Sequence, residues 1–226
     1  MNTYPKSTRS TIKRSPKRGH YNKETVHQIL DAGYICHVGF TIDDQPYVIP
    51  NAYGFGRESD TIYLHGAVGN RMLKRLEKGI PVCVTVTHTD GIVLARSAMH
   101  HSFNYRSAVL FGTAHLVPEE DKEQALFIIT EQILKGRWDE VRTPNEQELK
   151  ATKVLAMKIE EASAKIRTGP PKDDEADYEL SVWAGVLPLQ TVASEAIPDP
   201  AMNQVLPVPN SVNNYNQENT TDESVL

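Results

Sequence analysis

The strongest constraint on the fold is a succession of short apolar runs, rich in Val, Ile, Tyr and Thr, that are separated by turn residues. Residues of these types are typical of strands, and the runs cover residues 34–41, 47–53, 61–65, 82–88, 92–96, 105–117 and 154–159. Asp, Gly and Pro occur between neighbouring runs at 42–46 and 89–91, and such residues form tight turns. We therefore expect two antiparallel hairpins, 34–53 and 82–96.

Helical stretches are inserted among the strands. Asn22 and Gly33 mark the start and the end of a first helix, because Asn caps helix N-termini and Gly ends helices. Apolar residues at helical spacing predict further helices at 71–78 and 119–134. The pair Thr143-Pro144 is typical of another helix start. Strands in hairpin order with inserted helices indicate an α+β domain built on an antiparallel β-barrel.

The two ends of the chain differ in composition from its middle. Residues 1–19 are polar and basic, and we expect a flexible arm, with a docking or nucleic-acid-binding segment as the alternative. Residues 198–226 are rich in Pro, Asn, Gln, Thr and Ser, and cannot bury enough apolar surface to offset the entropy of ordering. We expect this tail to be disordered. One folded domain remains at residues 20–197.

Charge and cysteine content limit the partners and the compartment. The formal net charge of −5 argues against nucleic-acid binding by the chain as a whole. Cys36 and Cys83 lie in apolar runs, as expected of buried thiols in a reducing compartment. No apolar stretch approaches the roughly 18 residues of a membrane span, and the N-terminus lacks the apolar core of a signal peptide. We expect a soluble cytoplasmic protein.

A polar loop at 96–107 has the composition of an anion site. It contains two Arg, two His, three Ser and one Asn but no carboxylate, which favours a ligand such as phosphate. His100 and His101 are adjacent, so they point to opposite sides on extended backbone, and no carboxylate lies near them in the sequence. We therefore expect no metal site. A later acidic run is interpreted as a solvated loop: Asp173, Asp174, Glu175 and Asp177.

A second loop that suits an anion joins a strand to a helix at 64–71. Backbone N–H groups at a helix start carry partial positive charge, and the glycines at 66 and 69 allow the backbone to approach an anion. Arg71 lies in the first turn, where a cation opposes the helix dipole, and a bound anion would offset that cost. The alternative is an ordinary strand-to-helix turn with a surface Arg.

Pro50 lies inside the run at 47–53, and Pro removes a hydrogen bond from a strand ladder. This predicts a strand edge or a bulge, whose free backbone groups could meet the polar rim of a flat ring. A plain edge strand is the alternative interpretation.

With these motifs together, the sequence resembles the pyridoxamine 5′-phosphate oxidase-like superfamily of FMN-binding split barrels. Within it the sequence is most similar to the flavin-nucleotide-binding proteins related to nitroimidazole reductases. The resemblance extends over about residues 14–190, and the residues that show it are 49–53, 63–71, 91–97, 101–112, 165–171 and 183–185.

The resemblance implies a six-stranded split barrel and a homodimer with two FMN sites at its interface. The cofactor-binding residues that it implies are Pro50, Asn51, Ala52, Tyr53, Leu64, His65, Gly66, Ala67, Asn70, Arg71, Asn104, Tyr105, Arg106 and Ser107. Residues 104–107 would complete the site in part from the partner subunit. His65 matches the position where nitroimidazole reductases place a His near flavin and substrate, so it is the catalytic candidate. Many relatives have Lys at the position of Arg71, and Arg keeps the charge.

These features predict an FMN-dependent oxidoreductase that acts on an unidentified small molecule. Two alternatives remain: a flavin carrier or sensor without turnover, and a split barrel that binds haem or a deazaflavin. Pyridoxamine phosphate oxidation itself is not expected. That enzyme has a C-terminal motif rich in Arg and Trp, whereas here residues 183–188 are followed by a polar tail.

Overall fold

Among residues 2–215, which the computed structural model describes, nine strands form one antiparallel sheet. The strands are β1 (Gly19–His20), β2 (Ile35–Ile42), β3 (Gln45–Gly56), β4 (Thr61–Ala67), β5 (Pro81–Leu94), β6 (Ser102–Leu116), β7 (Thr152–Lys158), β8 (Glu161–Arg167) and β9 (Gly185–Pro188). Six of them close a ring in the order β2–β3–β4–β7–β6–β5, and β5 pairs again with β2. The predicted α+β fold with a six-stranded split barrel is confirmed.

Helices occur between the strands and after the last one, and four of the helices pack on the barrel. They are α1 (Lys23–Asp31), α2 (Arg71–Leu76), α3 (Lys122–Ile133), α4 (Glu146–Ala151) and α5 (Asn210–Asn213). The Asn22 side chain accepts a hydrogen bond from the Thr25 amide at 2.8 Å, which confirms the predicted cap of α1. Helix α4 begins two residues later than expected, because Asn145 and Glu148 form a capping box.

Helix α3 packs directly on the backbone of β3. A Cβ atom at Gly54 would lie 2.8 Å from the backbone of Ile129, so only glycine permits this approach. The barrel interior is filled by fully buried side chains that include Val38, Leu110 and Leu155. Burial of such a side chain contributes about 2 kcal/mol, so the packing in this core holds the ring closed.

The predicted hairpin at 82–96 is wrong. Strand β5 runs through residues 81–94 without turning, and the register against β6 shifts between Thr89 and Gly91. The Asp90 between them is the extra residue of a β-bulge, so residues that resemble a turn bend the strand and do not reverse it. The pairing partner explains the outcome, because β6 is long enough to pair on both sides of the bulge.

The N-terminal segment makes contacts that its composition does not indicate. Tyr4 is only 4% exposed, and its hydroxyl hydrogen bonds to Asp60 and to His27 Nε2. Burial raises the pKa of Asp60, but hydrogen bonds from Lys23, Tyr4 and His27 lower it by more. The division into residues 1–19, 20–197 and 198–226 stays a prediction, and residues 216–226 of the tail lie outside the described part.

Both cysteines are free, and Cys36 is buried in the core. Burial raises the pKa of its thiol to about 12, so it is unreactive at neutral pH. Across residues 2–215, no helix combines the length and the apolar character that crossing a bilayer requires.

Candidate functional site

The barrel splits where β3 and β4 separate. These strands pair from Gly56 with Thr61 as far as Tyr53 with Leu64, and the pairing ends there. Beyond this point β3 pairs with β2, and β4 continues against β7. Pro50 therefore pairs with a strand on one side only, as predicted for an edge. Proline is tolerated there, because it has no N–H to donate to a second neighbouring strand.

Two buried polar atoms lie just beyond the split without a hydrogen-bond partner. They are Asn51 Nδ2 on β3 and His65 Nδ1 on β4. Buried polar groups in proteins are nearly always hydrogen bonded, so unpartnered ones indicate a place where a ligand binds. Burial lowers the pKa of His65, which keeps its imidazole neutral at neutral pH. The two residues therefore offer one amide donor and one neutral imidazole.

The Arg71 loop, residues 65–71, continues from β4 into α2. Asn70 caps the helix by accepting a hydrogen bond from the Leu73 amide at 3.1 Å, so this N–H is taken. The exposed Arg71 guanidinium donates to the Tyr47 hydroxyl at 3.0 Å and lies 5.4 Å from the centre of that ring. No carboxylate of residues 2–215 forms an ion pair with Arg71, so its positive charge is not neutralised.

The other predicted residues of β3 and β4 are placed in two ways. The side chains of Tyr53 and Leu64 are fully buried in the core, and the Tyr53 hydroxyl donates to the Leu30 carbonyl at 2.5 Å. Burial raises the pKa of Tyr53, so this hydroxyl stays protonated. Ala52 and Gly66 are half-buried, whereas Pro50 and Ala67 are exposed. Tyr53 and Leu64 thus shape the split through packing and offer no side chain at the surface.

The predicted residues of β6 lie on the opposite wall of the barrel. In the six-strand ring β6 is three steps from β3 in either direction, so one chain does not bring the two groups together. Arg106 forms an ion pair with Asp90 at 2.9 Å. Asn104 is buried and accepts a hydrogen bond from the guanidinium of Arg167. In this chain, both side chains are bound to protein partners.

The remaining two predicted residues of β6 are half-buried. The Ser107 hydroxyl donates to the Lys165 carbonyl at 3.4 Å, while Tyr105 is opposite Arg167 of β8.

The Arg96 loop, residues 96–101, is neutralised by a distant segment. The side chain of Asp173 has no solvent-accessible surface and accepts from the backbone amide of Arg96 at 3.0 Å and from its guanidinium at 3.1 Å. It also accepts from the Ser97 amide at 3.4 Å. Desolvation raises the pKa of Asp173, but these donors lower it by more. The composition of the loop therefore does not make it a phosphate site. The fold brings the carboxylate of Asp173 to Arg96, although the two residues are 77 positions apart in the chain.

Sequence reasoning missed the roles of Tyr47, Asp90 and Asp173. Asp173 belongs to the acidic run, and Asp90 belongs to the residues that resemble a turn. Neither pattern shows that Asp173 pairs with Arg96, 77 positions away, or that Asp90 pairs with Arg106, 16 positions away. A cleft of about 540 Å³ lies elsewhere, between the end of α1, α3 and residues 211–215. None of the predicted cofactor-binding residues lines that cleft.

The chain matches known proteins over most of its length. The family model described as pyridoxamine 5′-phosphate oxidase matches residues 22–166. The structure of the flavocytochrome Anf3 from Azotobacter vinelandii is 39% identical, covers 91% of this chain and 95% of that one, and gives a TM-score of 0.83.

Two further solved structures are similar. The FAD and haem binding protein from Mycobacterium smegmatis is 34% identical over 87% of this chain and 96% of that one, with a TM-score of 0.83. A protein described as a candidate 5-nitroimidazole antibiotic resistance protein from Bacteroides thetaiotaomicron is 25% identical over 66% of this chain and 86% of that one, with a TM-score of 0.54. No protein with a curated description matches the chain.

Proposed function

Because the chain belongs to the pyridoxamine 5′-phosphate oxidase family, we propose that it binds a flavin nucleotide at the split between β3 and β4 and uses it for electron transfer. The observation that carries the proposal is the combination of unpartnered Asn51 Nδ2, unpartnered His65 Nδ1 and the cation of Arg71. A flavin matches this set, because it joins a flat ring with polar edges to an anionic phosphate.

Each residue has a separate role in this proposal. Arg71 binds the phosphate through charge-assisted hydrogen bonds, and Tyr47 holds its guanidinium in place. Asn51 and the free backbone groups beyond the split contact the ring edge. When bound, the flavin supplies the electron chemistry, and the protein supplies position and electrostatics. His65 stays neutral and faces the substrate, where it can exchange a proton.

The proposed flavin is FMN, and FAD is the alternative that the mycobacterial relative favours, since that protein is described as binding FAD. Both nucleotides contain the ring and the first phosphate, so Arg71 serves either one. As an oxidoreductase, the protein would act on a small molecule. The alternative function is that of a flavin carrier or sensor, which binds the flavin without turning over a substrate.

We also propose that the functional unit is a homodimer with the flavin at the subunit interface. The positions of β3 and β6 on opposite walls support this, because Tyr105 and Ser107 of β6 would reach the split of β3 and β4 from a second chain, whereas Arg106 stays paired with Asp90. Exposed apolar side chains beside Asn51 also support it: Ile35, Val48 and Ile49 are 47%, 65% and 38% exposed.

Haem is a second candidate cofactor, because one relative is described as a flavocytochrome and another as a FAD and haem binding protein. A histidine imidazole is one of the side chains that would hold haem iron. His27 and His88 are hydrogen bonded through Nε2 to Asp60 and to the Ile29 carbonyl. His65 fits better than these two, since its Nδ1 has no partner, and in this second candidate it would hold haem instead of facing a substrate.

The absorbance spectrum and the mass of the copurified cofactor test these proposals. We expect flavin absorbance, with FMN or FAD released on denaturation, and haem would add an intense Soret band. Colourless protein that takes up neither added FMN nor added FAD would overturn the proposal. Anaerobic mixing with NADH or NADPH then separates the two forms, because rapid bleaching and reoxidation by a substrate are expected only of an oxidoreductase.

A further inference from the structure

One side chain of the Arg96 loop lies among carboxylates of a distant segment. A ring nitrogen of His100 and carboxylate oxygens of Asp174 and Asp177 all lie within 4.8 Å of one another. The His100 ring is half-buried, Asp177 is half-buried and Asp174 is exposed. The sequence hides this cluster, because more than seventy positions separate His100 from the two aspartates.

Asp173 fixes the arrangement. Its carboxylate, which has no accessible surface, accepts hydrogen bonds from the Arg96 and Ser97 amides and from the Arg96 guanidinium. Arg96 also stacks on Tyr178, with its guanidinium carbon 4.8 Å from the ring centre. The two segments are therefore joined on both sides of the cluster, so its three side chains are brought together by the fold rather than by chance.

A polar atom of His100 points to what the cluster binds. His100 Nδ1 is buried without a hydrogen-bond partner, and it lies 3.8 Å from an Asp173 carboxylate oxygen. A metal-bound histidine commonly donates its second ring N–H to a carboxylate, which fixes the ring. A small rotation of His100 would complete this bond to Asp173 and would leave its other ring nitrogen for an ion.

The local charge also favours a cation. Arg96 neutralises Asp173. Neither Asp174 nor Asp177 has an ion pair or a side-chain hydrogen bond with any residue in the described range 2–215. Two unpaired carboxylates leave negative charge at this place that a divalent ion would balance.

We propose that His100, Asp174 and Asp177 bind a divalent transition-metal ion such as Zn²⁺, with Asp173 as the positioning residue for His100. Imidazole nitrogen and carboxylate oxygen are ordinary zinc ligands, and three protein ligands leave a fourth position for water. Ligands about 2.1 Å from a tetrahedral ion lie about 3.4 Å apart, so the side chains close inward on binding. The ion fastens residues 173–178 to the loop between β5 and β6.

Zinc titration of the full-length protein tests the proposal. After dialysis against EDTA and then against buffer, Zn²⁺ binding is measured by calorimetry, and thermal unfolding is recorded with and without Zn²⁺. We expect one equivalent to bind and the unfolding temperature to rise, because an ion that binds only the folded state stabilises it. His100→Ala and Asp177→Asn should each weaken binding about 100-fold or more, since even a change outside the ligand set costs roughly 10- to 100-fold.

His101→Ala is the matched control. His101 is the adjacent histidine, but its Nδ1 is hydrogen bonded to the Ser97 carbonyl at 3.0 Å and it is not part of the cluster. We expect this variant to bind Zn²⁺ within about threefold of the wild type. The proposal is overturned if the wild-type protein binds no Zn²⁺, or if His100→Ala binds as tightly as His101→Ala. If His100→Ala has a lower unfolding temperature than the wild type in EDTA, Asp174→Asn takes its place in the comparison with His101→Ala. That variant changes an exposed side chain, so the fold should tolerate it.

Discussion

The Arg71 loop and the β5–β6 region differ in what surrounds their arginines. In the β5–β6 region, Arg96 is paired with Asp173 and Arg106 with Asp90, while Arg167 is held by Asn104. In the Arg71 loop, the guanidinium donates to the Tyr47 hydroxyl, and no carboxylate of residues 2–215 pairs with it. The Arg71 loop and the polar loop at 96–107 look alike in sequence, since both contain cations and no acid of their own.

The difference shows that cations in a sequence do not by themselves make an anion site. A cation attracts a ligand when its field is not already cancelled, and in the β5–β6 region the fold supplies acids from residues 90 and 173. The same acids, extended by Asp174 and Asp177, turn the surroundings of His100 into a candidate cation site. One region is therefore suited to phosphate, and the other to a metal ion.

Asn104→Leu should destabilise the fold more than loss of the ion pair between Asp90 and Arg106 does. Asn104 and Arg167 are 5% and 6% exposed, so the substitution leaves a buried guanidinium without one acceptor. An unsatisfied buried group of this kind costs about 2 kcal/mol or more in the free energy of unfolding. Urea denaturation measures the loss.

Phe103→Leu is the control for that change, because Phe103 is the preceding residue of β6 and is 53% exposed. It should alter the free energy of unfolding by no more than about 0.5 kcal/mol. Equal losses in the two variants would contradict a structural role for Asn104.

A double-mutant cycle should detect the ion pair between Asp90 and Arg106. The side chains are 24% and 18% exposed, and Asp90 accepts from both Nε and Nη2 of Arg106. A partly exposed pair with this two-point geometry is expected to contribute a coupling energy of about 1 kcal/mol. Unfolding of Asp90→Asn, Arg106→Gln and the double variant gives the value. Strictly additive effects would mean that Asp90 does not neutralise the charge of Arg106 and would contradict the contrast with Arg71.

Acid should destabilise the protein partly through His65. Burial lowers its pKa in the folded state, whereas an unfolded histidine titrates near about 6.5. The contribution to stability is therefore fully present above that value and is lost as the pH falls below it, because only the unfolded state takes up the proton.

His65→Gln should make the free energy of unfolding less dependent on pH below about pH 6.5. The slope should fall by no more than the amount that uptake of one proton produces. Above about pH 7.5 the difference between variant and wild type should stay constant, which serves as the internal control. An unchanged slope at acid pH would show that the ring is not buried as described.

Much of the fold was predictable, since local patterns determine most of its elements. The Asn22 cap and the apolar runs are found where the sequence indicates. The failure at residues 89–91 has a physical cause: the same residues suit a hairpin turn and a β-bulge, and only the long partner strand β6 decides between them.

The site was less predictable than the fold. The split and Arg71 follow from Pro50 and from the strand-to-helix loop. The identities of neutralising partners did not follow, because Asp173 reaches Arg96 across 77 positions of chain. A loop that has no acidic residue of its own can therefore be neutralised by an acidic residue from a distant part of the chain.

Flavin affinity of two arginine variants tests the central claim most directly. Apoprotein of the wild type, Arg71→Gln and Arg106→Gln is titrated with the flavin that the wild type binds, with Lys74→Gln as a control cation on the same helix as Arg71. Loss of charged hydrogen bonds to phosphate should weaken binding about 30-fold in Arg71→Gln. Arg106→Gln and Lys74→Gln should stay within about threefold of the wild type. Equal losses for Arg71 and Arg106, or a larger loss for Arg106, would contradict the account.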